Sequence, residues 1–119
     1  MNYLTPNSSK QASQVLVVDD DPIFRRLAVT RLETTLGGIS EAQDGMEAWH
    51  LLKRGDFNLA LIDLDMPNMN GYALMRCIRS YSATKRMALI VVTGHDDLAT
   101  VQKAFQAGAT GFLTKPVNW

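Results

Sequence analysis

The chain holds a single cysteine, Cys77, which excludes an intrachain disulfide and a cysteine-rich zinc site. Cys77 falls within a helical pattern and reads as a small core or boundary residue. No apolar run approaches the ~20 residues that a membrane-spanning helix needs. Met1 to Gln14 is polar and lacks the apolar stretch of a secretory signal. Charge of one sign is also missing, since Lys plus Arg and Asp plus Glu are each 12. That balance leaves no general electrostatic footprint for nucleic acid or an anionic membrane. The expectation is one cytoplasmic domain, its thiol kept reduced.

What is present is a core. The 119 residues are 46% hydrophobic, enough for one domain with its own interior. Residues 1–13 have little to bury and read as a flexible tail, with the domain over 14–119. Val15-Leu16-Val17-Val18 is a buried strand that runs into Asp19-Asp20-Asp21-Pro22. Pro22 suits the first turn of a helix, and acidic residues suit its N-terminus. Phe24, Leu27, Ala28, Leu32 and Leu36 follow at helical spacing, with Arg25, Arg26 and Arg31 on the opposite face and Gly37-Gly38 as a stop.

Ile39 to Ala42 reads as a short edge strand, Asp44-Gly45 as a turn, and Met46 to Lys53 as a second helix with Ala48, Leu51 and Leu52 inward. His50 sits there among polar neighbours and is expected to be exposed. Leu59-Ala60-Leu61-Ile62 is a buried strand ending at Asp63, because Pro67 cannot continue it and Asn70-Gly71 marks a turn. Gly71, Leu74, Met75 and Ile78 mark a third helix. Met87 to Val92 is a fourth strand, ending at Thr93-Gly94-His95. Leu98 to Ala107 is a fourth helix, with Leu98, Val101, Ala104 and Phe105 inward and Gly108 as its cap. Gly111 to Thr114 is a fifth strand, stopped by Lys115-Pro116. Alternating strands and helices imply a parallel sheet covered on both faces.

In such a sheet all strand C-termini face one way, and ligands gather there. Asp19 and Asp20 end the first strand, Asp63 the third, Thr93 the fourth and Lys115 the fifth. Three carboxylates in one crevice repel each other, and a divalent cation would relieve them. Oxygen-only ligands favour a hard ion such as Mg²⁺. A carboxylate beside that ion can attack phosphorus, and a hydroxyl and an ammonium suit the oxygens of the incoming group.

These motifs, Val17-Val18-Asp19-Asp20, Asp63-Leu64-Asp65-Met66-Pro67-Asn68-Met69-Asn70-Gly71, Thr93-Gly94 and Lys115-Pro116, resemble those of response-regulator receiver domains of two-component signalling, of the chemotaxis-regulator type. The resemblance runs from about Gln14 to Pro116. It implies a flavodoxin-like, doubly wound α/β fold with five parallel strands in the order 2-1-3-4-5. It implies a bacterial phosphorelay switch rather than an enzyme, catalysing only its own phosphorylation and dephosphorylation. Asp63 would be the phosphoacceptor, receiving its group from a phosphohistidine on a sensor histidine kinase or histidine phosphotransfer protein. Mg²⁺, or Mn²⁺, would be held by Asp20, Asp63 and the backbone carbonyl of Asp65, with Asp19 acting through water. Thr93 and Lys115 would bind the phosphoryl group. Thr93 and Phe112 would form the switch, although Phe112 lacks the hydroxyl of the commoner Tyr. Asp65 and His95, each two residues beyond a site residue, would tune hydrolysis. Asn70 stands where Asp is commoner.

The resemblance also implies a fused or separate output domain, reached through the fourth helix and fifth strand, and leaves room for a homodimer. It implies no nucleic-acid or membrane contact through this domain. Receivers carry a fifth helix after Lys-Pro, and this chain stops at Trp119, so a piece cut from a longer protein is expected, with self-association or lowered stability as the consequence.

Three other readings compete. A receiver without phosphotransfer could serve as a docking module, which the intact Asp20, Asp63, Thr93 and Lys115 set argues against. A haloacid-dehalogenase-type phosphohydrolase shares Asp63-Leu64-Asp65, but Met66 departs from its motif and no room remains for a substrate cap. A flavodoxin-like cofactor binder would need a Ser/Thr/Gly-rich phosphate loop where this chain has three aspartates.

Overall fold

A computed structural model describes residues 14–119, so the tail expected over residues 1–13 lies outside the described residues. Val15–Val18 forms β1, and all four side chains are buried. A strand apolar on both faces can only lie inside a sheet covered on both sides. β1 accordingly pairs in parallel with β2 (Ile39–Ala42) and β3 (Leu59–Ile62). β3 pairs with β4 (Ala88–Thr93), and β4 with β5 (Gly111–Thr114), both in parallel. The sheet order is β2-β1-β3-β4-β5, the expected 2-1-3-4-5. β2 is an edge strand, as its mixed polarity suggested.

The helices are α1 (Pro22–Leu36), α2 (Gly45–Arg54), α3 (Gly71–Ser80) and α4 (Leu98–Ala107). Strand alternation splits the core into two layers. Leu16, Val18 and Ile62 point to one face and meet Ala48 and Leu52 of α2, Leu74, Met75 and Ile78 of α3, and Ala104 of α4. Val17, Leu61 and Val92 point to the other face and meet Ala28 of α1. Each fully buried Leu or Ile contributes about 1.5–3 kcal/mol relative to exposure.

Every helix begins on an oxygen-bearing side chain just beyond the sheet's C-terminal edge. Asp21 Oδ1 accepts from the Ile23 N–H at 2.9 Å, with Pro22 in the first turn. Asp44 Oδ1 accepts from the Glu47 N–H at 2.8 Å, Asn70 Oδ1 from the Ala73 N–H at 2.9 Å, and Asp97 Oδ2 from the Thr100 N–H at 3.1 Å. Asp44-Gly45 and Asn70-Gly71, expected as turns, are therefore helix starts. Such caps are worth about 1 kcal/mol each and set where each helix leaves the rim.

Four side chains depart from their expected faces. Leu27, Leu98 and Phe105 are exposed rather than inward. α4 buries only the stripe through Ala104, because it lies over the sheet's margin, and Leu98 and Phe105, seven residues apart, share a neighbouring stripe that faces solvent. Leu27 lies on the flank of α1, lining a groove with Phe24 and Val117. Arg25 is not on the outer face with Arg26 and Arg31; it is half-buried against the rim. His50 is exposed and Cys77 half-buried, as expected.

No helix follows β5 among the described residues. Residues 115–119 instead turn back toward α1, where Val117 joins the second core layer. An open groove of about 640 Å³ remains beside them, lined by Leu32, Leu36, Leu59, Ile90, Phe112 and Trp119 among others. No helix of the described residues is long and apolar enough to cross a membrane.

Candidate functional site

β1, β3, β4 and β5 all end on the same rim, and the register of the sheet decides which side chains meet there. The Asp63 N–H donates to the Val18 carbonyl at 3.0 Å, which extends the β1–β3 ladder one residue past the strand. The Lys115 N–H donates to the Thr93 carbonyl at 2.8 Å, doing the same between β4 and β5. Carboxylate oxygens of Asp19, Asp20 and Asp63 consequently lie within 4.8 Å of one another.

The three consecutive aspartates divide into separate environments. Asp21 is spent on the α1 cap. Asp20 is exposed and faces the cluster. Asp19 is only 1% exposed; its Oδ1 accepts from the Asp21 N–H at 2.9 Å, and its Oδ2 accepts from Lys115 Nζ at 2.7 Å. The same ammonium stands 4.0 Å from Asp63 Oδ1.

Asp63 is 7% exposed. Burial, and next the Asp19 charge, push its carboxyl up to about 6. Lys115 offsets part of this, while Asp65 adds to it. A carboxylate disfavoured by desolvation and by its own neighbours calls for positive charge. The donor set is entirely oxygen, close enough for one ion to bridge, and so fits a hard divalent cation such as Mg²⁺.

The backbone around Asp63 leaves no slack. The Gly71 N–H donates to the Leu64 carbonyl at 3.0 Å, which seats the start of α3 against the loop after β3. A Cβ at Gly71 would collide with the Asp63 carbonyl oxygen. Asn68, at φ 69°, donates from Nδ2 to Asp44 Oδ2 at 2.8 Å and ties this loop to the α2 cap. Those bonds hold the Asp44 carboxyl below its ordinary range, the Glu47 N–H most strongly and then Asn68.

Thr93 is 1% exposed at the end of β4, and its Oγ1 accepts a long bond of 3.5 Å from the His95 N–H. His95 Nε2 donates to Asp65 Oδ2 at 2.7 Å, bridging the loops after β3 and β4 in the open. Phe112 lies on β5, half-buried against the first core layer.

Sequence reasoning missed Arg25 and Phe24. Arg25 Nη1 donates to the Asp19 carbonyl at 2.6 Å, and its Nε pairs with Glu41 at 3.2 Å, so it braces the backbone between the Asp19 and Asp20 carboxylates. Phe24 presents its ring to the Lys115 ammonium, 4.3 Å from the centroid. Neither role shows in the local pattern: Phe24 meets a lysine beyond β5, and Arg25, although its carbonyl partner is only six residues back, is held inward by Glu41 of β2.

A family model described as the response regulator receiver domain matches residues 15–119. The probable transcriptional regulatory protein NarL of Mycobacterium tuberculosis is 38% identical over 111 residues, covering 92% of this chain and 50% of that protein. The chain thus spans about half the length of that curated relative. Among solved structures, the chemotaxis response regulator CheY4 of Vibrio cholerae is similar with a TM-score of 0.85 and 29% identity, over 89% of this chain and 88% of that one. A response regulator from Burkholderia pseudomallei, solved with a phosphorylated aspartic acid, a calcium ion and citrate, gives a TM-score of 0.81 and 27% identity, over 89% of this chain and 61% of that one.

Proposed function

The chain belongs to the response regulator receiver domains of two-component signalling, and from that premise we propose that it is a phosphorelay switch whose acceptor is Asp63. The observation that carries this reading is the convergence of the Asp19, Asp20 and Asp63 carboxylates beneath the Lys115 ammonium. The Burkholderia pseudomallei response regulator, solved with a phosphorylated aspartic acid and a calcium ion, supports it.

In this reading Asp20, Asp63 and the Asp65 carbonyl would hold Mg²⁺ or Mn²⁺, and Asp19 would assist through water. When bound, that cation would supply positive charge to offset the phosphoryl oxygens and the acidic cluster. Asp63 attacks the phosphorus of a partner's phosphohistidine; an O–P bond forms, the N–P bond breaks, and the imidazole leaves with the bonding pair. Lys115 pairs with one phosphoryl oxygen and the Thr93 hydroxyl donates to another. The buried rim excludes water from the acyl phosphate, and Asp65 with His95 sets how readily water enters.

Thr93 and Phe112 then pass the change to the face of α4 and β5, where Leu98, Phe105 and Leu113 are exposed. Residues 14–119 are taken as the receiver unit, with a sensor histidine kinase or histidine phosphotransfer protein as donor. The output domain is fused or separate, the setting is the bacterial cytoplasm, and nucleic acid is not a ligand of this domain.

The test is intact-protein mass after incubation with acetyl phosphate, with and without Mg²⁺, beside Asp63→Asn. One phosphoryl group gained only with Mg²⁺, and absent from the variant, is the expected result. No gain under any condition would turn the assignment toward a docking module.

A further inference from the structure

A lysine ammonium sits on four rotatable bonds, and one carboxylate contact does not by itself fix its position. Lys115 has two contacts of different kinds. Asp19 Oδ2 lies 2.7 Å from Nζ, and the Phe24 ring centroid lies 4.3 Å from it. Phe24 belongs to the first turns of α1 and packs into the second core layer with Leu32, Ile90 and Val117. Behind it stands Trp119, ring centroids 6.0 Å apart at an interplanar angle of 40°. The ammonium is therefore held between a buried carboxylate and an aromatic face, with Asp63 Oδ1 at 4.0 Å.

The two holders act differently. Asp19 neutralises the ammonium and takes one of its three hydrogens. A ring face attracts the cation through its quadrupole, accepts no strong hydrogen bond and adds no opposing charge. The remaining N–H groups stay free for oxygens on the Asp63 side. An aliphatic side chain of similar size would pack as well but would not attract the charge.

We infer that Phe24 is a positioning residue for phosphoryl transfer: its ring holds the Lys115 ammonium over Asp63, with Trp119 bracing the ring from behind. This rests on the reading that Lys115 binds the incoming phosphoryl group.

The experiment compares Phe24→Leu, Phe24→Tyr, Lys115→Ala and the Phe24→Leu/Lys115→Ala double variant. The rate of phosphorylation by acetyl phosphate with Mg²⁺ is measured for each. Phe24→Leu should slow the reaction about fivefold, and Phe24→Tyr, which keeps a ring, should restore most of the rate. In the Lys115→Ala background Phe24→Leu should cost nothing further, because the cation it positions is gone. A second readout is the ¹H–¹⁵N signal of the Lys115 ammonium. The Phe24 ring current should shift it upfield in the native protein and in Phe24→Tyr, and the shift should vanish in Phe24→Leu; packing alone would not move it.

A slow Lys115→Ala beside a Phe24→Leu of native rate, or an equal further loss in the double variant, overturns the role of Phe24 alone. An absent ring-current shift does the same. A Lys115→Ala protein of native rate removes the phosphoryl-binding role of Lys115 and the inference together.

Discussion

Lys115 Nζ and Asp19 Oδ2 meet at 2.7 Å although 96 residues separate them in the chain. The Asp19 side chain is 1% exposed and that of Lys115 is 25% exposed, so the carboxylate depends on this partner more than the ammonium does. Lys115→Ala strands a buried charge. Breaking a fully buried pair costs about 3–5 kcal/mol; with one partner partly solvated, a loss of about 1–3 kcal/mol is expected in Mg²⁺-free urea denaturation. Adding Mg²⁺ should shrink the difference, because a cation replaces the missing charge. Equal midpoints without metal would show that the pair does not stabilise the fold.

The Asp63 carboxyl, raised to about 6 from its ordinary 3.8, makes a pH prediction with a definite sign. Between those two values the folded protein binds more protons than the unfolded chain. Stability is therefore fully present below about 4 and is lost as pH rises through about 6. Asp63→Asn removes the strained charge and should raise metal-free stability by about 1–2 kcal/mol at pH 7.5. The gain should disappear as pH falls toward 4. Titrating urea midpoints of both proteins against pH checks it, and a gain independent of pH would assign the effect to something other than this ionisation.

Gly71→Ala should damage the site through the backbone alone. The added methyl would meet the Asp63 carbonyl oxygen and press on Leu64 Cα. A loss of about 2–3 kcal/mol is expected, in the range for overpacking a tight site. Phosphorylation should slow although every charged residue remains. Thermal melting and the acetyl phosphate rate measured together would detect both.

His95 and Asp65 form a bridge in the open, so replacing either with Ala should move stability by no more than about 0.5 kcal/mol. The lifetime of the acyl phosphate should change instead, about threefold or more, a difference of roughly 0.7 kcal/mol in barrier. If the bridge is the unit, the double variant should match the singles rather than multiply them. Decay followed by intact mass gives the answer; unchanged decay in both single variants would end the assignment.

The groove beside β5 exposes Leu32, Leu36, Leu113 and their neighbours to water. Contiguous apolar surface favours association. Sedimentation equilibrium of this chain should show weight-average mass rising with concentration, and Leu36→Glu should suppress the rise. A monomer at every concentration would count against it.

Much of the fold was legible because its signals are short-ranged. Val15-Leu16-Val17-Val18 is apolar on both faces and could only be a central strand. Leu98–Ala107 was bounded by local chemistry, with Asp97 capping one end and Gly108, at φ 119°, the other. Asp19, Asp20, Asp63, Thr93 and Lys115 were picked out because each ends a strand, and parallel strands end on one rim. Helix faces were read less well. Leu98 and Phe105 satisfy the periodicity, but which stripe is buried depends on where α4 rests against β5 and α3, and spacing within one helix does not encode that.

The chain's local chemistry determined the elements, their caps and the set of reactive side chains. Tertiary structure alone decided their partners. It turned Arg25 inward to the Asp19 carbonyl, gave Asp44 to Asn68, joined His95 to Asp65 and laid the Phe24 ring against Lys115. Hydrogen bonds and charge contacts act over a few ångströms, and those ångströms are set by sheet order and register. Residues far apart in sequence become neighbours only when both have been fixed.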